Sequence, residues 1–156
     1  ITGGDFHEKI PVEKRNDLDL TFIQSCFAFT NPDQTPFARD VFERLKTLSD
    51  GMIKHPNDLK SAVGFIHAYD LTKVLIAAIK QAGLSGDNVK DRDAIRLALE
   101  DLQTSVQGLV KAYESPYAAF DAQSNPNAHE ALHKENYCMA RYGAQDEVLI
   151  VETSSE

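Results

Sequence analysis

No run of lysine or arginine interrupts this sequence, whose net charge is −8 and whose pI is near 5.1. Phosphate binding needs a basic face, so nucleic acid is not an expected partner. Cysteine is scarce, with Cys26 and Cys138 the only two. Their spacing fits no metal pair, and two are too few for a disulfide scaffold. Free cysteine packs as a small apolar residue, so two buried thiols are the expectation. A bond between them would need an oxidising compartment and closely placed Cα atoms. No uninterrupted apolar run approaches the roughly 20 residues of a membrane span. Glycine-rich phosphate loops, a Ser/His/Asp arrangement, internal repeats and low-complexity segments are all missing. Ile1-Thr2-Gly3-Gly4 holds neither a start methionine nor a signal peptide, so any targeting segment is expected upstream.

What is present suffices for a folded domain. The chain has 156 residues, 42% of them hydrophobic, enough for a core and against disorder. The most informative stretch runs from Ser61 to Gly83. Its polar residues His67, Asp70, Lys73, Lys80 and Gln81 form one narrow stripe at helical spacing. A helix so apolar needs apolar neighbours on nearly every side. Gly83 is placed to end it, and Asp58 or Ser61 to cap it.

Other elements follow from periodicity and punctuation. Leu18 to Phe29 alternates and then turns apolar, the pattern of a strand that is half wet at first and later buried on both faces. Pro36 opens a helix to about Leu48, with Phe37, Val41, Phe42, Leu45 and Leu48 on one face and Asp50-Gly51 closing it. A third helix is expected from about Asp91 to Gln103, capped by Asp91 or Asp93 and burying Ile95, Ala98, Leu99 and Leu102. Val110–Glu114 and Tyr117–Phe120 are short extended candidates. Tyr137–Tyr142 and Val148–Glu152 read as a hairpin across Gly143–Asp146. A short helical turn is expected near Asp5–Lys9. A lone strand followed by helices wants parallel neighbours from elsewhere in sequence.

One motif suggests chemistry. His129-Glu130-Ala-Leu-His133 matches H-E-x-x-H, in which a helix sets two histidines on one face to bind zinc and the glutamate acts as general base. Glu152 is the available third ligand. Asn125-Pro126 before the motif, and Lys134-Glu135-Asn136 after it, leave little room for helix. A short solvated helix whose histidines carry no metal is therefore the expectation, and the zinc metalloprotease an alternative. Tyr69-Asp70 reads as a packed tyrosine beside a solvated aspartate.

The pieces, taken in order, resemble one family. Ala68-Tyr-Asp-Leu-Thr-Lys-Val-Leu-Ile-Ala-Ala-Ile-Lys-Gln-Ala-Gly83 resembles a helix of ABC-transporter solute-binding proteins of the branched-chain amino acid type. That helix carries a Tyr-Asp pair, small and aliphatic residues, and an Ala-Gly ending. Asp91–Glu100 resembles the next helix, Gln107-Gly-Leu-Val followed by Phe120-Asp121 a later segment, and Tyr137–Tyr142 with Glu147–Val151 the closing strands. The resemblance implies an α/β fold of the type I periplasmic-binding-protein kind. Two Rossmann-like lobes would clamp a solute, and this chain would be an incomplete C-terminal part. Residues 1–20 would end a second-lobe segment. Residues 21–108 would form a crossover strand and three first-lobe helices, and 109–156 a return crossover and closing strands.

The same resemblance implies the function and its residues. Thr2 and Gly3 would lie on a cleft-facing loop. Gly64 and Phe65 would meet the solute's side chain at the start of the long helix, Phe65 as an apolar wall. The protein would do no catalysis and need no cofactor or metal. Its partners would be a small polar solute such as an amino acid, the ABC permease at the inner membrane, and the missing N-terminal part. It would be periplasmic, or extracellular and membrane-tethered. A ligand-binding sensor ectodomain of the same fold is a further alternative.

Overall fold

The computed structural model describes residues 9–15, 17–18, 20–59, 61–143 and 147–151. Thr2, Gly3, Glu152 and most of the expected turn near Asp5–Lys9 lie outside them. The elements in chain order are α1 (Val12–Arg15), β1 (Thr21–Ser25), α2 (Pro36–Leu48), α3 (Ala62–Ala82), α4 (Asn88–Glu100), β2 (Val106–Gln107), β3 (Ala112–Tyr113), β4 (Tyr137–Tyr142) and β5 (Val148–Ile150). The fold thus mixes helix and sheet. The chain divides into two compact units, one of Ile1–Ile66 with Tyr137–Glu156 and one of His67–Asn136. The second is therefore an insertion in the sequence of the first.

The first unit is organised by an antiparallel sheet in the order β1-β4-β5. Thr21 lies opposite Arg141 and Ser25 opposite Tyr137, while Tyr142 lies opposite Val148. The expected parallel neighbours of β1 are replaced by β4, which runs antiparallel and comes from this same chain. β1 is also shorter than its apolar pattern suggested. The Phe27 N–H donates to the Ser25 carbonyl at 2.7 Å, a γ-turn that carries the chain out of the ladder. Its burial departs from expectation too: Ile23 is 71% exposed, whereas Gln24 and Ser25 are buried.

The same pairing corrects the expectation for cysteine. Cys26 and Cys138 are joined by a disulfide, with Cα atoms 4.9 Å apart. The register sets Cys138 opposite Gln24, and the turn centred on Cys26 leaves the ladder beside that pair and places Cys26 within bonding reach of Cys138. That proximity depends on a pairing between distant segments and was invisible in the spacing.

α2 spans the residues expected of it. The Thr35 side chain caps it by accepting the Ala38 N–H at 3.1 Å, and Pro36 occupies the first turn. Ala38 and Val41 are buried, but Leu48 at the helix end is 81% exposed and leaves the expected apolar face. Asp50 and Gly51 then turn the chain at positive φ. Asp58 does not cap the long helix: it closes a capping box with His55 on the turn Pro56–Asp58, accepting the Lys54 and His55 N–H groups at 2.8 Å. Ser61 precedes α3, its carbonyl accepting the Phe65 N–H at 2.9 Å.

The second unit packs Val74 and Ala78 of α3 against Ala98 and Leu102 at α4, with Val106 and Tyr113 from the β2–β3 ribbon. Gly83, at φ +65°, ends α3 as its position foretold. α4 begins earlier than expected and is capped by Asp87, which accepts the Val89 and Lys90 N–H groups. Asp91 reaches backward instead, accepting from the Ser85 and Gly86 N–H groups at 2.7 and 3.0 Å. Asp87 thus does the capping expected of Asp91 or Asp93, and Asp91 holds the loop before the helix. Tyr117–Phe120 does not form the expected strand; only a bridge between Asp121 and Asn125 follows it.

Candidate functional site

The long helix α3 carries both the strongest sequence signal and the candidate site residues. Its buried line runs Ile66, Asp70, Val74, Ala78, one residue per turn. Asp70 is 2% exposed and therefore not the solvated aspartate expected from its neighbours. Its carboxylate accepts the Leu109 N–H at 2.6 Å, the Val110 N–H at 3.0 Å and the Tyr113 hydroxyl at 2.9 Å. Those donors lie on the turn between β2 and β3 and on β3 itself. Asp70 thereby fixes the ribbon to the helix. A Cβ on Gly108 would stand 2.5 Å from the Tyr113 ring and 2.7 Å from the Asp70 carboxylate, so glycine is required there by close approach.

The opposite side of α3 is apolar and exposed. Leu71 is 56%, Leu75 39% and Ile76 44% exposed. The narrow polar stripe read from sequence is thus not the only wet side. Asp70 in that stripe faces inward, and Gln81 is bound to the Asp101 carbonyl and the Gln103 N–H. α3 is long and apolar enough to cross a membrane by length and composition, which a count of uninterrupted apolar residues overlooked. A carboxylate bound to three donors of a β-ribbon places that side of the helix against protein.

At the start of α3, within the first unit, Gly64 is exposed and Phe65 half-buried. The Phe65 ring lies 6.0 Å from that of Phe29, which also meets Phe42 at 5.3 Å and Phe27 at 5.1 Å. Phe65 is therefore one member of an aromatic cluster built from the segment after β1, α2 and α3. A Cβ on Gly64 would come within 2.6 Å of the Ser61 hydroxyl, a contact that a turn of the serine side chain relieves. The Gln34 amide nitrogen donates to the Ala28 and Asn31 carbonyls at 2.8 Å, holding the segment that carries Phe29. Gln24 Oε1, Ser25 Oγ and Gln34 Oε1 are buried without a hydrogen-bond partner among the described residues. Each such group costs about 1–3 kcal/mol unless something answers it. None of the three stood out in the sequence, because a polar residue in a strand or loop is ordinarily solvated.

The structure removes the premise of the zinc reading. Residues 129–133 are a turn and irregular chain in place of the short helix expected, so no helical face gathers His129 and His133. His129 Nε2 lies 3.3 Å from Glu100 Oε1, and its ring packs beside Phe120 and Tyr117. Partial burial raises the Tyr117 phenol above its ordinary value. Between the histidines, Ala131 and Leu132 pack on the core of the second unit, which pulls the segment out of helix. Compared with protein-family models, curated proteins and solved structures, the chain matches none.

Proposed function

We propose that this chain is the C-terminal portion of a two-lobe α/β solute-binding protein that delivers a small polar solute to an ABC permease. Binding would be non-covalent, the closed form being favoured by its extra contacts to the solute. Gly64 and Phe65 would contribute from the start of α3, and Thr2 and Gly3 from a loop of the other lobe. The observation that carries the reading is α3, packed on one side and bare on the other at Leu71, Leu75 and Ile76. Such a helix belongs between two layers, and the remainder of the protein would supply the second. The disulfide supports an oxidising location, periplasmic or extracellular.

Calorimetry on the whole protein against a panel of amino acids, amides, urea and aromatic acids tests the reading. One class should bind saturably at one site, and Phe65→Ala should weaken it about tenfold or more. The 156-residue chain alone should give no heat with the same panel. Micromolar binding by the chain alone would overturn the proposal, as would silence from the whole protein with every class.

A further inference from the structure

We propose that the Cys26–Cys138 disulfide is a thiol-sensitive latch on the aromatic wall at the start of α3. The inference deepens the solute-binding reading, and rests on it only for what the wall would hold. The two cysteines join sequence segments that are otherwise held by the β1–β4 ladder. Everything from His67 to Asn136, the whole second unit, lies inside the loop they close. Cys26 is the central residue of the turn in which Phe27 N–H meets the Ser25 carbonyl. That turn launches the segment bearing Phe27 and Phe29, and Phe29 stands against Phe42 and Phe65. The bond thus anchors the root of the wall to β4. Both cysteines are half-buried rather than enclosed in the core.

The opening step balances without further reagents. One thiolate of the dithiol attacks a cystine sulfur, the S–S bond breaks, and the other cysteine leaves as thiolate. The second thiolate then attacks the mixed disulfide, frees the remaining cysteine and closes the reductant into its cyclic disulfide. Two electrons pass from the dithiol to the cystine, and both cysteines end protonated as thiols.

The second unit has a core of its own and its own Asp70 clamp, and contains neither cysteine. The latch therefore predicts a divided response, read by amide hydrogen exchange on the protein with and without dithiothreitol. Reduction should speed exchange at least about 100-fold in residues 21–34 and 137–142, and less than about threefold in 88–113. The Cys26→Ser/Cys138→Ser variant should show the reduced pattern with no reductant present. Should that variant not fold, reductant titrated into the oxidised protein gives the same readout. Equal exchange in the oxidised and reduced forms overturns the latch, and so does loss spread equally over both units. The exchange measurement contains no solute, so its failure is distinct from failure of the calorimetric test above.

Discussion

Asp70 shows how one side chain ties sequence-distant elements together. It is a buried carboxylate, and three donors converge on it. Asp70→Ala would leave two N–H groups and a hydroxyl without their acceptor. We expect a loss of about 2–4 kcal/mol, measured by urea unfolding of the second unit. Tyr113→Phe, which removes one donor, should cost about 1–1.5 kcal/mol. The sequence made Asp70 look solvated because only its helical neighbours were visible. Its true partners lie some forty residues on, in a ribbon too short to announce itself. The capping aspartates show the opposite case, being exposed and local. Backbone N–H groups, His55 first for Asp58, Lys90 for Asp87, Ser85 for Asp91 and Ser124 for Asp121, hold each carboxyl below its ordinary value of 3.8. A carboxyl lowered in the folded state stabilises fully above the unfolded value and loses that contribution as pH falls through the folded one. Acidification below about 3.8 should therefore fray these turns, and carboxyl chemical shifts followed by NMR should show midpoints under that of an unfolded peptide.

At the scale of elements, what was legible was what local chemistry decides. Pro36 and Thr35 start α2, Gly83 stops α3, and the alternation of Tyr137–Tyr142 makes β4. Replacing Gly83 by alanine forces a Cβ into positive φ and should cost about 1 kcal/mol, read as a lower melting temperature. What was not legible was set by contacts across the chain. The pairing that sets β1 against β4 and brings the cysteines together, and the packing that kept His129–His133 out of helix, both depend on distant residues. For the candidate site the divide is similar. Helical order placed Gly64 and Phe65 on one turn, but the aromatic cluster around Phe29 and the orphaned oxygens of Gln24, Ser25 and Gln34 needed the fold. α3 itself yields a comparative prediction. Leu71→Glu with Leu75→Glu should cost the 156-residue chain only about 1–2 kcal/mol, since Leu71 is 56% and Leu75 39% exposed. In the larger protein we propose, the same pair would cost about 3 kcal/mol more, because a covered apolar face would receive two charges.

Across the whole molecule, the two units are stabilised by different means. The second relies on a contiguous core, whereas the first joins two sequence-distant segments through a sheet and a disulfide. In the chain-entropy account, a bond spanning 112 residues is worth about 4–5 kcal/mol, comparable to the net stability of a small domain. The remaining imbalance is the outer side of α3, where covering Leu71, Leu75 and Ile76 would add on the order of 3 kcal/mol. The account turns on that face being an interior surface of a larger protein. A thiol placed there reports on it directly, because the described chain has no free cysteine to compete. We would measure the alkylation rate of Leu75→Cys in the chain alone and in the whole protein. The account predicts rapid labelling of the chain and labelling at least about 100-fold slower in the whole protein. Equal rates in the two would contradict it.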